Sequence, residues 1–340
     1  METTHKDLLQ EFQQLISKMP MEVCCVTVLA ELGLQWKAVT QAVRNARLPM
    51  TSASVAKILT RHVSRSLEAE ELSEIVAQLR IKLIATSSSC TWHAITLSEP
   101  VSEEEPVAEW CRLVGHRAQL AARRTVKKIN TRVEVHTAKL NDFLFLSLRS
   151  VSAGRGGRGG AARGALCVCA APAQPVAFVT TLASRALLQA AVEGLGYRKY
   201  TNADLNGRDL QSLLRIVDRT WNTQPQQLTE MPEYDPQPVV TENGIDFTNR
   251  AYNAQYVESI IGADPPLLNS LEIKSERPYA HPSRLKKNIA IGFSLKTDNL
   301  AETLKHWVGV MAIPPTSDFV KIFHELKSNR ITYHRDDMED

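Results

Sequence analysis

The stretch that decides the fold is 112-RLVGHRAQLAARRTVKKINTRVEVHTAKLNDFLFLSLRSVSAGRGGRGGAAR-163. Its apolar spacing changes part-way along. From Val107 to about Ile129 the period is helical: Trp110, Leu113, Val114, Leu120 and Val126 make one face and leave Arg117, Arg124 and Lys128 on the other flank. From Arg132 the period becomes two. Arg132-Val-Glu-Val-His136 alternates, and Phe143-Leu-Phe-Leu-Ser-Leu148 reads as a buried strand. Leu166-Cys-Val-Cys169 and Val176-Ala-Phe-Val179 supply two more strands. Helices at 183–194 and 207–221 follow, the second with Leu205, Leu210, Leu213, Leu214 and Val217 as its apolar face. Two helices over a four-stranded antiparallel sheet make an α+β domain.

The same window carries twelve Lys and Arg against Glu134 and Asp142, a balance of +10 in a chain whose total is +3. A fixed positive field captures polyanions. Two readings follow: a solvated helix face beside a loop, or a surface for nucleic acid or chromatin. Between the second and third strands, SAGRGGRGGAARGA forms a Gly-rich basic hairpin loop. Gly154, Gly156 and Gly159 satisfy a literal GxGxxG. A dinucleotide site needs that motif to open a helix, with an acid about twenty residues on. Here a strand follows, so no dinucleotide is expected. Mobile arginines that touch phosphate without reading sequence fit better.

The 340 residues suffice for two or three domains, and 44% apolar with 23% charged is an ordinary globular composition. The six cysteines form no CxxC pair, so free thiols in a reducing compartment are expected. METTHKDLLQ is no signal peptide, and no apolar run reaches the length of a membrane helix. A soluble, intracellular protein is the expectation.

Before the window, helices are expected at 5–17, 21–32, 36–46, 52–66 and 68–84. Leu8, Leu9, Phe12, Leu15 and Ile16 share the face of the first. With no strand signal, residues 1–85 read as a compact helical bundle. The polar stretch 86–106 is a boundary, with Trp92 to Leu97 packing back. The α+β domain then covers 86–221, and the Pro/Gln-rich 222–240 reads as a linker. Residues 241–340 form a second α+β unit. It has strands at Leu271–Lys274, Asn288–Leu295 and Ile331–His334, a helix 299–309 capped by Asp298, and a helix 317–327. So small a sheet leaves an edge that seeks a partner strand.

Chemistry is sparse. The nine His are scattered, with no HxxxH or HExxH spacing. There is no nucleophile elbow, Walker loop or kinase signature. Acids run together at Glu103–Glu105 and in the terminal Asp336–Asp340, and both runs read as solvated. No metal, cofactor, small-molecule substrate or enzymatic role is expected.

In the order of its features the chain resembles the centromere protein N family of inner-kinetochore subunits. The pieces that carry the likeness are Lys18-Met-Pro-Met21, Thr91-Trp92 through Leu97-Ser98, Arg124-Thr-Val-Lys-Lys128, Ala177-Phe178, Asp204-Leu-Asn-Gly-Arg208-Asp-Leu-Gln-Ser-Leu213 and Ile331-Thr-Tyr-His-Arg-Asp336. The resemblance implies an N-terminal pyrin-like (death-fold) bundle and an α+β domain with a small sheet. It also implies a C-terminal α+β region that forms a heterodimer with centromere protein L. It implies nucleosomal DNA as ligand, a nuclear location at the centromere and kinetochore, and a role beside other inner-kinetochore subunits in chromosome segregation. The implied DNA contacts are Lys127 with Arg123, Arg124 and Lys128 before the sheet, Arg155, Arg158 and Arg163 in the loop, and Arg185 and Arg208 near later helices.

The chain departs from the family on its first helix. Gln13 and Gln14 stand for adjacent basic residues, and Lys6 and Gln10 for acids that touch a histone variant; Asn206 and Cys90 replace basic residues elsewhere. General DNA affinity and partner pairing are therefore the expectation, rather than direct recognition of a histone variant. Two other readings stay open. One is a ribonucleoprotein factor using the Gly/Arg loop, although 150–170 has no aromatic for base stacking. The other is a death-fold signalling adaptor, which leaves 107–340 unexplained.

Overall fold

A computed structural model describes residues 5–101, 105–126, 131–152, 162–172, 174–222, 231–242, 244–246, 248–278 and 288–333. The contacts divide the chain into two units: Met1–Cys90 with Leu97–Tyr200, and Thr91–Thr96 with Thr201–Asp340.

The first unit opens with a helical bundle. Helix α1 is His5–Lys18. Met21–Glu31 runs as one bent piece: α2 (Met21–Val23), a π turn (Cys24–Val28) and α3 (Leu29–Glu31). Then come α4 (Trp36–Asn45), α5 (Ser52–Ser66) and α6 (Ala69–Thr86). The start of α5 follows from its cap: Thr51 Oγ1 accepts the Ser54 N–H at 3.3 Å. Leu8, Phe12 and Ile16 of α1 interleave with Val28, Val39, Val43, Leu59, Val63, Leu72 and Val76 in one core. Leu9 and Leu15 lie at its margin.

The sheet has six strands, two more than the sequence periodicity indicates. They are β1 (Trp92–Pro100), β2 (Thr131–Leu140), β3 (Phe143–Ser152), β4 (Ala162–Ala170), β5 (Val176–Val179) and β6 (Tyr197–Gly207), in the order β2-β3-β4-β5-β1-β6. Strands β1 and β6 run across the boundary between the units. The apolar piece at Trp92 is thus a full strand. Strand β6 escapes the pattern because its solvent-side residues, YRKYTNAD, are polar and only its end is buried. Strands β2, β3, β4 and β5 pair antiparallel in sequence.

Helix α7 (Val107–Thr125) lies against β2 and against α8 (Arg185–Gly194). The α7–α8 crossing is tight because residue 194 is glycine. A Cβ there would stand 2.5 Å from the Ala118 Cβ, so any side chain forces the helices apart. Trp110 Nε1 donates to Leu195 O at 2.9 Å and closes the far end of the pair. The bundle seats on the sheet through charge. Glu11 of α1 accepts from Arg80 of α6 at 2.6 Å and pairs with Arg149 of β3 at 3.5 Å. Gln78 Nε2 donates to Thr137 O of β2 at 3.1 Å.

The second unit holds α9 (Leu210–Asn222), a hairpin of β7 (Val239–Thr241) and β8 (Gly244–Asp246), and α10 (Arg250–Ile261). It continues with β9 (Ser270–Pro278), β10 (Asn288–Lys296), α11 (Leu300–Gly309), α12 (Asp318–His324) and β11 (Arg330–Tyr333). Its sheet order is β10-β9-β11, with β10 antiparallel and β11 parallel to β9. Helix α10 lies outside the sequence expectation; its buried face is Asn253, Tyr256, Val257, Ile260 and Ile261, a stripe that an amide and a tyrosine make less apolar. Of the expected linker 222–240, residues 223–230 lie outside the described residues, and the rest is not free of the fold. Residues 231–238 strap onto α10: Tyr256 donates to Pro232 O at 2.8 Å, and Tyr234 donates to Asn253 Oδ1 at 2.7 Å. Helix α11 is capped by Asn299, whose Oδ1 accepts the Glu302 N–H at 3.4 Å, and not by Asp298.

Candidate nucleic-acid interface

Helix α7 sorts its basic residues by face. Arg117 and Arg124, seven residues apart, lie on one flank, and both meet acids. Arg117 makes a two-pronged bond to Glu105 at 2.7 and 2.6 Å, and Arg124 donates to Glu193 of α8 at 3.0 Å. Both arginines of the flank that looks free in sequence thus meet an acid, one of them, Glu193, distant in the chain. Arg124 still exposes 73% of its side chain. Arg112, His116 and Arg123 share another stripe and are all exposed. Arg149 also leaves the free set, because it turns toward Glu11 under the bundle.

At the C-terminal end of α7 the chain builds a cavity of about 300 Å³, lined by Gln119, Ala122, Arg123, Val126, Arg132 and Val133. Its volume is at the low end of ligand pockets. Alternation on β2 sends Val133 inward and leaves Arg132 exposed. Arg123 and Arg132 therefore frame one opening, and neither has a carboxylate within 4.0 Å among the described residues. No acidic residue lines the cavity. Two guanidiniums without a counter-charge, one on a helix and one on a strand, offer the kind of donors that suit phosphate.

Strand register gathers further candidates at this end. Arg132 is opposite Val151, and Val151 is opposite Ala162, so Arg163 lies one residue along β4 from the same row. The connection 153–161, with Arg155 and Arg158, leaves β3 and enters β4 here. Lys127 and Lys128 belong to the connection between α7 and β2. These four residues lie outside the described residues. Arg185 is exposed at the first position of α8, and Arg208 is exposed between β6 and α9 in the second unit. Arg132 was not singled out by motif. Its signal is strand alternation directly after a Lys-Lys pair.

The polar cluster beneath the bundle is a seat, not a site. His136 of β2 lies there beside Glu134, Arg80 and Glu74, and burial first of all holds its imidazole below the usual range. Burial likewise pushes the Cys24 thiol up to about 11 and the Cys167 thiol up to about 12, so neither is a thiolate at neutral pH. Among the described residues, no three His, Cys, Asp or Glu gather as a metal site would require. No single helix among them is long and apolar enough to cross a membrane.

In the second unit, β10 is the outer strand of its sheet. Ile291 and Phe293 lie on one face and are 64% and 38% exposed, with Phe293 against Phe319 at 5.0 Å between ring centres. The outward peptide groups of β10 have no neighbouring strand among the described residues.

A scan against protein-family models finds no match, and a search of curated proteins finds none either.

Proposed function

We propose that this protein is a non-enzymatic chromatin scaffold that grips the phosphates of nucleosomal DNA. The observation that carries the reading is the opening framed by Arg123 and Arg132, two unpaired guanidiniums on rigid elements. The described residues nearest the basic stretches 127–130 and 153–161 belong to the same region: Val126 and Arg132 line the opening, and Val151 and Ala162 follow Arg132 across the strand register. The order of short sequence pieces shared with the centromere protein N family supports an inner-kinetochore setting in the nucleus. The open margin of β10 supports pairing with a sister chain, for which centromere protein L is the candidate, by strand addition with Ile291 and Phe293 in the contact.

The test is DNA binding by the full chain carrying Arg123→Glu and Arg132→Glu, followed by fluorescence anisotropy across a salt series. Removing two phosphate contacts should flatten the slope of log affinity against log salt by about 1.8. Equal affinity and slope in the variant and the unaltered protein would exclude the cleft as the DNA site.

A further inference from the structure

The strap 231–238 is held to α10 by polar contacts that one chemical change would undo. Besides the bonds of Tyr234 and Tyr256 already described, the Asp235 N–H donates to the Tyr252 hydroxyl at 3.3 Å, and Asn249 Nδ2 donates to Gln237 O at 2.8 Å. The ring of Tyr234 sits at the centre, 5.7 Å from that of Tyr252 and 5.0 Å from that of Tyr256. The strap has no helix or strand of its own, and Glu233 and Asp235 are exposed on either side of the half-buried Tyr234.

The partner of Tyr234 fixes what its hydroxyl must do. Asn253 is buried, and its Nδ2 is spent on Thr248 O at 2.9 Å. Its Oδ1 therefore faces Tyr234 and needs a donor there. Sequence singles out the same residue. The chain has seven tyrosines, and Tyr234 has an acid on each side, whereas no other has even one adjacent acid.

We propose that Tyr234 is a phosphorylation site and that its phosphate releases the strap from α10. A tyrosine kinase transfers the γ-phosphoryl group of ATP. The bond from Tyr234 Oη to phosphorus forms, the bond from that phosphorus to the bridging oxygen breaks, ADP leaves, and the phenolic proton passes to the kinase base. Acids on both sides of the acceptor suit a substrate groove lined by cations. The product carries about −1.5 to −2 charge at pH 7 and three acceptor oxygens. The donor to Asn253 is then gone, and acceptor meets acceptor at a buried amide. Tyr234 leaves, and Pro232 O and the Asp235 N–H part from Tyr256 and Tyr252 with it. What the strap had covered on α10 is a pair of tyrosines. None of the residues that frame the Arg123 and Arg132 opening takes part, so the switch does not rest on the DNA reading.

The experiment treats the full chain with ATP, Mg²⁺ and a tyrosine kinase catalytic domain that accepts acid-flanked sites, and maps phosphate by mass spectrometry. Y234F is the blank, and a synthetic peptide of residues 228–240 is the control substrate. Phosphate should appear on Tyr234 of the folded chain. Hydrogen exchange of segments 233–238 and 250–256 should then quicken by about tenfold or more, the scale of one lost bond to a buried group. It should also exceed the change in Y234F, which loses the bond but adds no charge. A chain unmodified at Tyr234 beside a modified peptide would show that the fold closes the site. An unmodified peptide would show that the flanking acids make no substrate. Either overturns the proposal. Unchanged exchange after phosphorylation overturns the release. So does slower exchange, which would mean that Arg250, one turn before Asn253 on α10, clamps the phosphate.

Discussion

Asn329 is fully buried, and its side chain holds three hydrogen bonds in the second unit. Its Nδ2 donates to Asn206 O at 2.7 Å and to Ser270 O at 2.9 Å, and its Oδ1 accepts from Asn206 N–H at 2.9 Å. One amide thus ties the end of β6 to the start of β9, just before β11 begins. Asn329→Ala removes all three bonds and leaves a cavity that water cannot fill with the same geometry. At about 0.5–1 kcal/mol for each bond, plus about 1–2 kcal/mol for a buried Asn206 N–H without an acceptor, the loss is about 3–5 kcal/mol. That is a large part of the stability of an ordinary domain. Asn329→Asp keeps an acceptor for Asn206 but aims a carboxylate at two carbonyls, so it should be no milder. Hydrogen exchange of peptides covering 201–209 and 268–275 reads this directly. Protection should fall by about 10²- to 10³-fold, since about 1.4 kcal/mol is tenfold. Protection within twofold of the unaltered protein would refute the lock.

Acid should destabilise the protein in two stages. Burial is the main cause that holds His93 and His136 below the ordinary 6.5, with Arg330 adding to it at His93. The unfolded chain therefore binds those protons more readily. Stability from these groups is complete above about pH 6.5 and is lost as pH falls through their native values. Burial pushes Glu11 up, but Arg80 and Arg149 outweigh it and hold the carboxyl below 4.5. Its contribution is complete above about pH 4.5 and disappears below. Melting temperature from pH 8 to 3.5 should show a plateau and then two descents, with His136→Gln shrinking the upper one and Glu11→Gln the lower. A melting temperature that rises between pH 7 and 5.5 would contradict the upper stage. At the margin of β10, Phe293→Arg with Ile291→Asp should abolish co-purification with a strand-donating partner and leave DNA affinity unchanged. Retained pairing would place the partner elsewhere.

Local pattern carried much of this fold. Leu8, Phe12 and Ile16 recur at helical spacing, and such spacing favours a one-sided helix. Phe143 to Leu148 and Val176 to Val179 are apolar runs of strand length, so burial and extended backbone follow together. The concentration of charge in 112–163 was equally visible, because composition needs no coordinates. Which charges stay available was not visible. Arg117, Arg124 and Arg149 lose their freedom to Glu105, Glu193 and Glu11, and two of those acids are far away in the chain. The polar strand β6 and the three-way bond of Asn329 are likewise products of packing. They satisfy backbone groups whose partners are set by which segments meet, and that is a long-range choice. Sequence determined where helices and strands form and where cations cluster, because both depend on neighbours along the chain. Tertiary structure decided which cations face solvent unpaired, because ion pairing depends on distance in space.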